Sequence, residues 1–208
     1  MIIKNLIEGT LRNAKALTPL PRDQWGIARG IWAGQFSQGE LFPILPENLD
    51  QVDLVWIAEN PGEWSSSSRP ELYTTEVFHW ETYMSHYRAN LDIAHWRSVR
   101  KALGKIGGGR RMKILFSNAY LFEWPSMKKA RENDVATFFS TYQGPLFSAL
   151  RETGAIGIGT RVCLSGCYAQ AAWNQLLNDQ PRLTEIEAIS LGHPSRGHLD
   201  QSLRKLGY

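Results

Sequence analysis

Two short polar segments carry side chains that are suited to hydrolytic chemistry. Glu59 and Asn60 lie in the segment 58–64, AENPGEW, and His193 lies in the segment 192–198, GHPSRGH. A carboxylate acts as a base or stabilises a cation, an amide orients water, and an imidazole donates a hydrogen bond to an anion. Both segments directly follow strand-like apolar runs. We therefore expect them at the carboxyl ends of strands, where open α/β sheets bind ligands.

Four apolar runs predict the strands that position these segments. They cover residues 53–58, 113–117, 161–165 and 185–191. The segments between them are long enough to hold helices, which is the βαβ pattern of a mainly parallel sheet covered on both faces. The sequence therefore predicts an α/β fold, a three-layer sandwich with a central, mainly parallel four-stranded sheet.

The rest of the chain predicts helices and an irregular arm in one domain spanning residues 1–208, a length that buries a core without disulfides or metals. Apolar residues at helical spacing predict an amphipathic first helix over 2–17. Proline, glycine and polar residues over 18–50 predict an irregular arm packed on the body. Later helices are expected near residues 87–105, 129–141, 146–153, 168–178 and 199–206. Gly144 and Pro145 should separate the second of these from the third.

A polar loop follows each predicted strand. The loops are residues 59–62, 118–120, 166–168 and 193–195. In a parallel sheet these loops converge on one edge, where a carboxylate, amides, an imidazole and aromatic rings can surround a planar, hydrogen-bonding ligand. A nucleobase fits that description.

Three sequence motifs resemble those of the uracil-DNA glycosylase superfamily. Residues 58–62, AENPG, resemble motif A in the Gly-x-Asn-Pro-Gly form of the mismatch-specific and single-strand-selective branches, with the Glu of the Gly-Glu-Ala-Pro-Gly branch. Residues 193–195, HPS, resemble the second motif. Residues 114–119, ILFSNA, resemble the central strand whose terminal Asn recognises the flipped base. The order and spacing of the three motifs agree with the family across roughly residues 50–208.

This resemblance implies a cofactor-independent DNA glycosylase, which flips uracil or a related pyrimidine out of DNA and hydrolyses its N-glycosidic bond to leave an abasic site. Asn60 would position the water, and Glu59 would act as a base or stabilise the sugar cation. His193 would donate a hydrogen bond to the anionic base, and Asn118 would recognise the pyrimidine edge. No lysine lies in the motifs to form a Schiff base, so we expect a monofunctional enzyme without strand cleavage.

Aromatic and wedge residues beside the motifs are candidates for holding a flipped base. Trp64, Tyr73 and Phe78 offer aromatic faces for stacking. Arg196 or Leu199 would fill the gap that the flipped base leaves in the stack.

Another group of residues is suited to contacts with the DNA backbone. Pro61, Gly62 and Ser195 would bring backbone and hydroxyl groups close to phosphates. Arg110 and Arg111 lie in a glycine-rich basic turn and are further candidates for phosphate contacts.

Departures from the family pattern leave the identity of the base open. Ala58 replaces the usual leading Gly, Glu63-Trp64 replaces a Tyr-His pair, and residues 196–198 replace a Pro-Leu-Ser wedge. Together with the arm over 18–50 and a long insertion over 64–96, these changes leave room for a bulky base. Uracil repair is the commonest role of the family. The alternative substrate is glucosylated hydroxymethylcytosine, which some members remove from phage DNA in bacterial defence.

Two other classes of function stay open. One is a catalytically silent nucleic-acid-binding module, against which the presence of Glu59, Asn60 and His193 argues. The other is a hydrolase of free nucleosides or nucleotides. The chain has no glycine-rich phosphate-binding fingerprint, which weakens this second alternative.

Composition bounds the partners and the compartment. The net charge of +3 and the isoelectric point near 8.9 permit a polyanionic partner without requiring one. No apolar run reaches the length of a membrane span, and the amino terminus lacks the pattern of a secretory leader. We expect a soluble, cytoplasmic monomer that binds DNA, with no membrane contact and no obligate protein partner.

The thiol and imidazole residues do not indicate a metal site. Cys163 and Cys167 are too few for an iron–sulfur cluster or a cysteine-only zinc site, and we interpret both as reduced, structural thiols. His79, His86 and His95 show no metal-ligand spacing, and we interpret them as solvated or helix-packing residues. No metal or other cofactor is expected.

Overall fold

The computed structural model describes residues 2–17, 30–59, 79–121, 131–194 and 198–208. Within these ranges six strands form one sheet. They are β1 (Trp32–Ser37), β2 (Glu40–Ile44), β3 (Leu54–Ala58), β4 (Met112–Asn118), β5 (Arg161–Ser165) and β6 (Glu187–Leu191). Their order across the sheet is β2-β1-β4-β3-β5-β6.

The four predicted strands form the parallel part of this sheet. β3 pairs in parallel with β4 on one side and with β5 on the other, and β5 pairs in parallel with β6. The prediction of an α/β fold with a mainly parallel sheet is confirmed. The predicted number of four strands is wrong, because β1 and β2 add an antiparallel hairpin beside β4.

Helices cover both faces of the sheet. They are α1 (Ile2–Leu17), α2 (Trp80–Asn90), α3 (Ala94–Gly107), α4 (Glu132–Glu152), α5 (Cys167–Asp179) and α6 (His198–Lys205). The chain leaves β3 in one direction to reach β4 and then crosses back over β3 to reach β5. Right-handed crossovers therefore place α3 on one face, and α4 and α5 on the other. α6 packs against α3, and α1 packs against α4.

The first helix forms as the sequence predicts. Ile3, Ile7, Leu11 and Ala14 recur at helical spacing, and all four side chains are buried in the core. Burial of this stripe against α4 holds the helix on the body.

The hairpin of β1 and β2 lies inside the segment that was expected to be an irregular arm. Gln38 and Gly39 both have positive φ, at 53° and 84°, which is the geometry of a tight two-residue turn between antiparallel strands. Trp32 of β1 is 1% exposed and is sandwiched between two rings, with centroids 4.4 Å from Tyr87 and 4.2 Å from Phe116 of β4. Burial of this tryptophan overrides the local turn-forming composition.

The predicted break at Gly144 and Pro145 is also wrong, since α4 continues through both residues. Packing against α5 compensates for the missing N–H of the proline. The Gly144 carbonyl accepts a hydrogen bond from Gln180 Nε2 at 2.9 Å, and a Cβ at Gly144 would lie only 3.0 Å from that nitrogen. The glycine therefore permits the close approach that stabilises the helix here.

Two further boundaries differ from the prediction. The single helix expected over 87–105 is two helices, since the chain turns at Leu91–Ile93 between α2 and α3. β6 begins at Glu187 because residues Pro181–Glu185 form a short 3-10 turn. Among the described helices, none combines the length and apolar character that a membrane span requires.

Candidate functional site

The candidate site lies where the strand order reverses, at the carboxyl ends of β3 and β5. Glu59 follows β3 directly, and Cys167 follows β5 after Gly166. Backbone hydrogen bonds anchor the loop after β3, because Ala119 N–H donates to the Ala58 carbonyl at 2.7 Å and Tyr120 N–H donates to the Glu59 carbonyl at 3.0 Å. Ligands of open α/β sheets bind at this kind of topological switch point.

The Glu59 carboxylate is the centre of the site. Its Oε2 lies 3.8 Å from Nε2 of His193, in the loop after β6, and its Oε1 accepts a hydrogen bond at 3.7 Å from Sγ of Cys167. The oxygen–nitrogen distance is longer than an N–H···O hydrogen bond, which is typically 2.7–3.2 Å. The side chains are 19% exposed at Glu59 and 31% exposed at His193. A ligand at this edge can therefore reach both groups.

A glycine makes room for the carboxylate. Gly166 has a φ of 100°, and a Cβ built there would lie 2.3 Å from Oε1 of Glu59. Only glycine adopts this backbone conformation without strain, and only glycine leaves space for the carboxylate. The residue between β5 and α5 thus leaves the space in which the Glu59 side chain lies.

The loop that holds His193 is tied to α6. Gly192 N–H donates to Ser202 Oγ at 3.0 Å, and the Gly192 carbonyl accepts from Ser165 Oγ at 3.4 Å. A Cβ at Gly192 would lie 2.4 Å from Cβ of His198. The backbone before His193 therefore lies directly against the helix that follows.

His95 adds a second imidazole to the site. Its ring centroid lies 6.1 Å from that of His193 at an interplanar angle of 62°, and its ring also meets Trp96 edge-on at 5.1 Å. Burial and, as a smaller cause, the neighbouring His193 together lower the pKa of His95 to about 4. His95 is therefore neutral near pH 7. Its interpretation as a packing residue is incomplete, because the ring also lies against His193 of the candidate site.

Cys167 is an exposed free thiol beside Glu59, whereas Cys163 is buried in β5. As the first residue of α5, Cys167 occupies a position that ordinarily lowers the pKa of a thiol. Partial loss of solvent around the thiol nevertheless raises its pKa, and the charges of Glu59 and Glu132 raise it further. The thiol therefore stays protonated and donates to Glu59, which makes it a poor nucleophile. Only Cys163 matches the expectation of a structural thiol.

Asn118 lies at the expected sheet edge, but its side chain is only 7% exposed. Its Nδ2 donates to the Gly30 carbonyl at 2.9 Å, and its backbone carbonyl accepts from Gln143 Nε2 at 2.7 Å. The amide thus holds the chain entering β1. Recognition of a base by this amide stays a prediction.

Leu199 and the basic turn lie away from the cluster. Leu199 is 2% exposed and belongs to the hydrophobic core, so it is not placed to fill a gap in a base stack. Arg110 and Arg111 precede β4, at the opposite edge of the sheet from Glu59. Arg110 Nε donates to the Gly107 carbonyl at 3.2 Å, and Arg111 donates to Gln35 Oε1 at 2.6 Å.

The remaining predicted site residues lie outside the described part of the chain. They are Asn60, Pro61, Gly62, Trp64, Tyr73, Phe78, Ser195 and Arg196. Their proposed roles stay predictions from the sequence.

The described residues contain no group of three or more histidine, cysteine, aspartate or glutamate side chains arranged to hold a metal ion. In comparisons with known proteins, the sequence matches no protein-family model. No curated protein matches it significantly.

Two residues of the site were not predicted as functional from the sequence. Cys167 could have been predicted from the sequence, because the loop over 166–168 was expected at the same edge as Glu59. His95 carried no such signal, since 98 positions separate it from His193 and only the packing of α3 brings the two rings together.

Proposed function

We propose that the protein is a DNA glycosylase, which hydrolyses the N-glycosidic bond of a modified pyrimidine flipped out of DNA. The observation that carries this proposal is the approach of the Glu59 carboxylate to the His193 imidazole at 3.8 Å, at the topological switch point of the sheet. Both residues belong to segments that resemble motifs of the uracil-DNA glycosylase superfamily. The proposal thus combines a sequence resemblance with a carboxylate and an imidazole that lie close together and are partly exposed.

The reaction requires opposite charges to be stabilised at two points. As the C1′–N bond breaks, the base leaves with the bonding electrons and the sugar becomes oxocarbenium-like. In the proposed mechanism Glu59 stabilises the positive sugar, and His193 donates a hydrogen bond to the departing base. Asn60 orients the water whose oxygen bonds to C1′. The base then takes up a proton and an abasic site remains.

The two neighbours of Glu59 support its role. Gly166 leaves the space that the carboxylate occupies, and Cys167 donates to the oxygen that does not face His193. Because that thiol stays protonated, it donates a hydrogen bond that orients the carboxylate, and it does not act as a nucleophile toward the substrate. These contacts favour a carboxylate held in one position, which an electrostatic role requires.

The test is base release from a panel of oligonucleotides, with alkaline cleavage at any abasic site. The panel contains uracil, thymine mismatches, hydroxymethylcytosine and glucosylated hydroxymethylcytosine, each in single-stranded and double-stranded DNA. Release of uracil would identify a repair activity. Selective release of the glucosylated base would identify an activity directed at phage DNA.

Matched variants assign the activity to the site. Glu59→Gln should lower the rate of base release by about 100-fold or more while DNA binding persists. Asn60→Ala should likewise reduce excision far more than binding. Glu187→Gln makes the same chemical change at the opposite edge of the sheet and should leave the rate unchanged.

Two results would overturn the proposal. DNA binding without release of any base would favour a catalytically silent nucleic-acid-binding module. Hydrolysis of free nucleosides with no release from DNA would identify a nucleoside hydrolase instead.

A further inference from the structure

The positive charge of the chain is concentrated on one helical layer. α3 and α6 carry six of the 23 lysine and arginine residues but only one of the 20 aspartate and glutamate residues. The rest of the chain therefore has a net charge of −2, although the whole chain has +3. On the opposite face, α4 and α5 together carry one arginine and four acidic residues. With α1, which packs against α4 and has three cations and one carboxylate, that face has a net charge of −1, against +5 for α3 and α6.

The cations of α3 form one stripe along the helix. Arg97, Lys101 and Lys105 are spaced four residues apart, which places them on one face. Arg204 and Lys205 lie on the neighbouring α6 and are exposed. We call these five residues the α3–α6 surface.

A single carboxylate lies within this surface. Lys101 Nζ lies 3.0 Å from Asp200 Oδ2, which links α3 to α6. The hydrogen bond from Lys101 lowers the pKa of Asp200, and the charges of Lys101, Lys105 and Arg204 lower it further. Three cations from two helices thus surround one acidic group. Among the described residues, no carboxylate forms an ion pair with Arg97, Lys105 or Arg204.

The α3–α6 surface begins at the candidate site. α3 starts one residue before His95, whose ring faces His193. α6 starts at His198, against the backbone of Gly192. The turn after α3 continues the positive charge with Arg110 and Arg111 at the far edge of the sheet. A track of cations therefore runs from one edge of the sheet to the other.

The length of the track suits a nucleic-acid strand. α3 has 14 residues, which corresponds to about 21 Å at 1.5 Å per residue. Successive phosphates of one strand of B-DNA are about 3.4 Å apart along the axis, so the helix spans about six phosphates. Lysine and arginine clustered along one helix face are the usual electrostatic footprint of such binding.

We propose that the α3–α6 surface binds the phosphate backbone of the DNA that flanks the base in the candidate site. This proposal rests on the proposed function for its choice of DNA as the polyanion. The proposal also gives a role to the basic turn over 108–111. The turn lies far from Glu59 and forms the distal end of the track of cations. Bound DNA would contact α6, and α6 contacts the loop that holds His193.

The experiment measures binding of fluorescein-labelled 20-nucleotide DNA with unmodified bases, single-stranded and duplex, by anisotropy between 50 and 200 mM NaCl. Unmodified DNA separates this test from the chemistry of base release. The variants are Arg204→Gln and the double variant Lys105→Gln/Arg204→Gln. Arg182→Gln is the matched control, since it removes one exposed arginine beside α5. Circular dichroism verifies that each variant is folded.

The double variant should bind about tenfold more weakly at 50 mM NaCl, and its slope of log K against log salt should fall by about two. Arg204→Gln should show about half of that change in slope, and Arg182→Gln should bind within twofold of the wild type.

Three results would overturn the proposal. The first is an equal loss of DNA affinity in Arg182→Gln and Arg204→Gln. The second is a double variant whose DNA affinity and salt dependence equal those of the wild type. The third is binding of the wild-type protein to phosphatidylserine vesicles but not to DNA. If the charge variants behave as expected but no base is released, the proposed function fails while the binding surface stands.

Discussion

The two edges of the sheet each hold a carboxylate, and the described contacts of Asp53 at the amino edge are shorter than those of Glu59 at the carboxyl edge. At the amino edge, Asp53 Oδ2 accepts from Lys113 N–H at 2.6 Å, and Asp53 N–H donates to the Lys113 carbonyl at 2.9 Å. The Asp53 carbonyl accepts from Arg161 N–H at 3.1 Å, and Thr160 Oγ1 donates to the Val52 carbonyl at 2.8 Å. These bonds join three neighbouring strands.

At the carboxyl edge the described contacts of the Glu59 side chain are longer. Glu59 contacts Cys167 and His193 at 3.7 Å and 3.8 Å, beyond the range of strong hydrogen bonds. A carboxylate with short hydrogen bonds contributes to the stability of the fold, and a carboxylate whose contacts are long, at an accessible edge, is available to a ligand. We therefore expect activity to depend on the carboxyl edge, and substitutions at the amino edge to alter stability without altering activity.

The largest expected effect is a difference between two glycine substitutions. The two glycines have similar φ and lie at opposite edges of the sheet. Gly166 at the carboxyl edge has φ 100°, and Gly159 near the amino edge has φ 96°. A Cβ at Gly159 meets nothing within 4 Å, whereas one at Gly166 collides with Glu59. Gly159→Ala should cost about 1 kcal/mol of unfolding free energy through backbone strain alone. Gly166→Ala should cost about 3 kcal/mol and abolish base release.

Urea unfolding and the base-release assay, applied to both glycine variants, check this difference. Equal losses of stability with activity retained in Gly166→Ala would show that the position of Glu59 does not depend on the glycine.

The next effect is a pH dependence of stability that His95 produces. Because its folded pKa of about 4 lies below its ordinary value of 6.5, the unfolded chain binds a proton in the range where the folded protein does not. Stability from this residue is complete above pH 6.5 and is lost as the pH falls toward 4. Between pH 7.5 and pH 5 the unfolding free energy should fall by about 2 kcal/mol.

Urea unfolding at the two pH values measures this dependence, and His95→Gln should reduce it. Parallel losses in wild type and variant would assign the pH dependence to other groups.

The smallest effect concerns the amino edge itself. Asp53→Ala removes the acceptor for Lys113 N–H and should lower the unfolding free energy by about 1 kcal/mol. Its rate of base release should equal that of the wild type, in contrast to Glu59→Gln, which should lower the rate without destabilising the fold. Thermal unfolding and the base-release assay on the two variants complete the comparison. A large loss of activity in Asp53→Ala would contradict the division of roles between the edges.

The parallel strands could be predicted because each is a short apolar run followed by turn residues. β5 has the predicted bounds, β3 begins one residue later than predicted, and β4 extends one residue further at each end. The hairpin of β1 and β2 could not be predicted in the same way, because its stability depends on the free edge of β4 and on the rings above and below Trp32. Similarly, α4 continues through Pro145 because α5 packs against it.

In the candidate site, too, some features follow from the local sequence, whereas others depend on contacts between residues that are far apart in the chain. The positions of Glu59 and His193 follow from strand ends, which the local sequence indicates. The contacts of His95 and the burial of Leu199 depend on how α3 and α6 pack, which a single sequence does not encode in any short pattern. Site residues directly after strands could therefore be predicted from the sequence, whereas site residues on helices could not.

The place of β1 in the sheet has a consequence for folding during synthesis. β1 ends at Ser37, but its partner β4 begins only at Met112. At about 5–20 residues per second, a ribosome needs roughly 4–15 seconds to make the intervening chain. For that interval the hairpin of β1 and β2 has no sheet to join and exposes one edge of each strand. Pro43 in β2 has no N–H to donate and Glu40 carries a charge, both of which hinder pairing with another nascent chain.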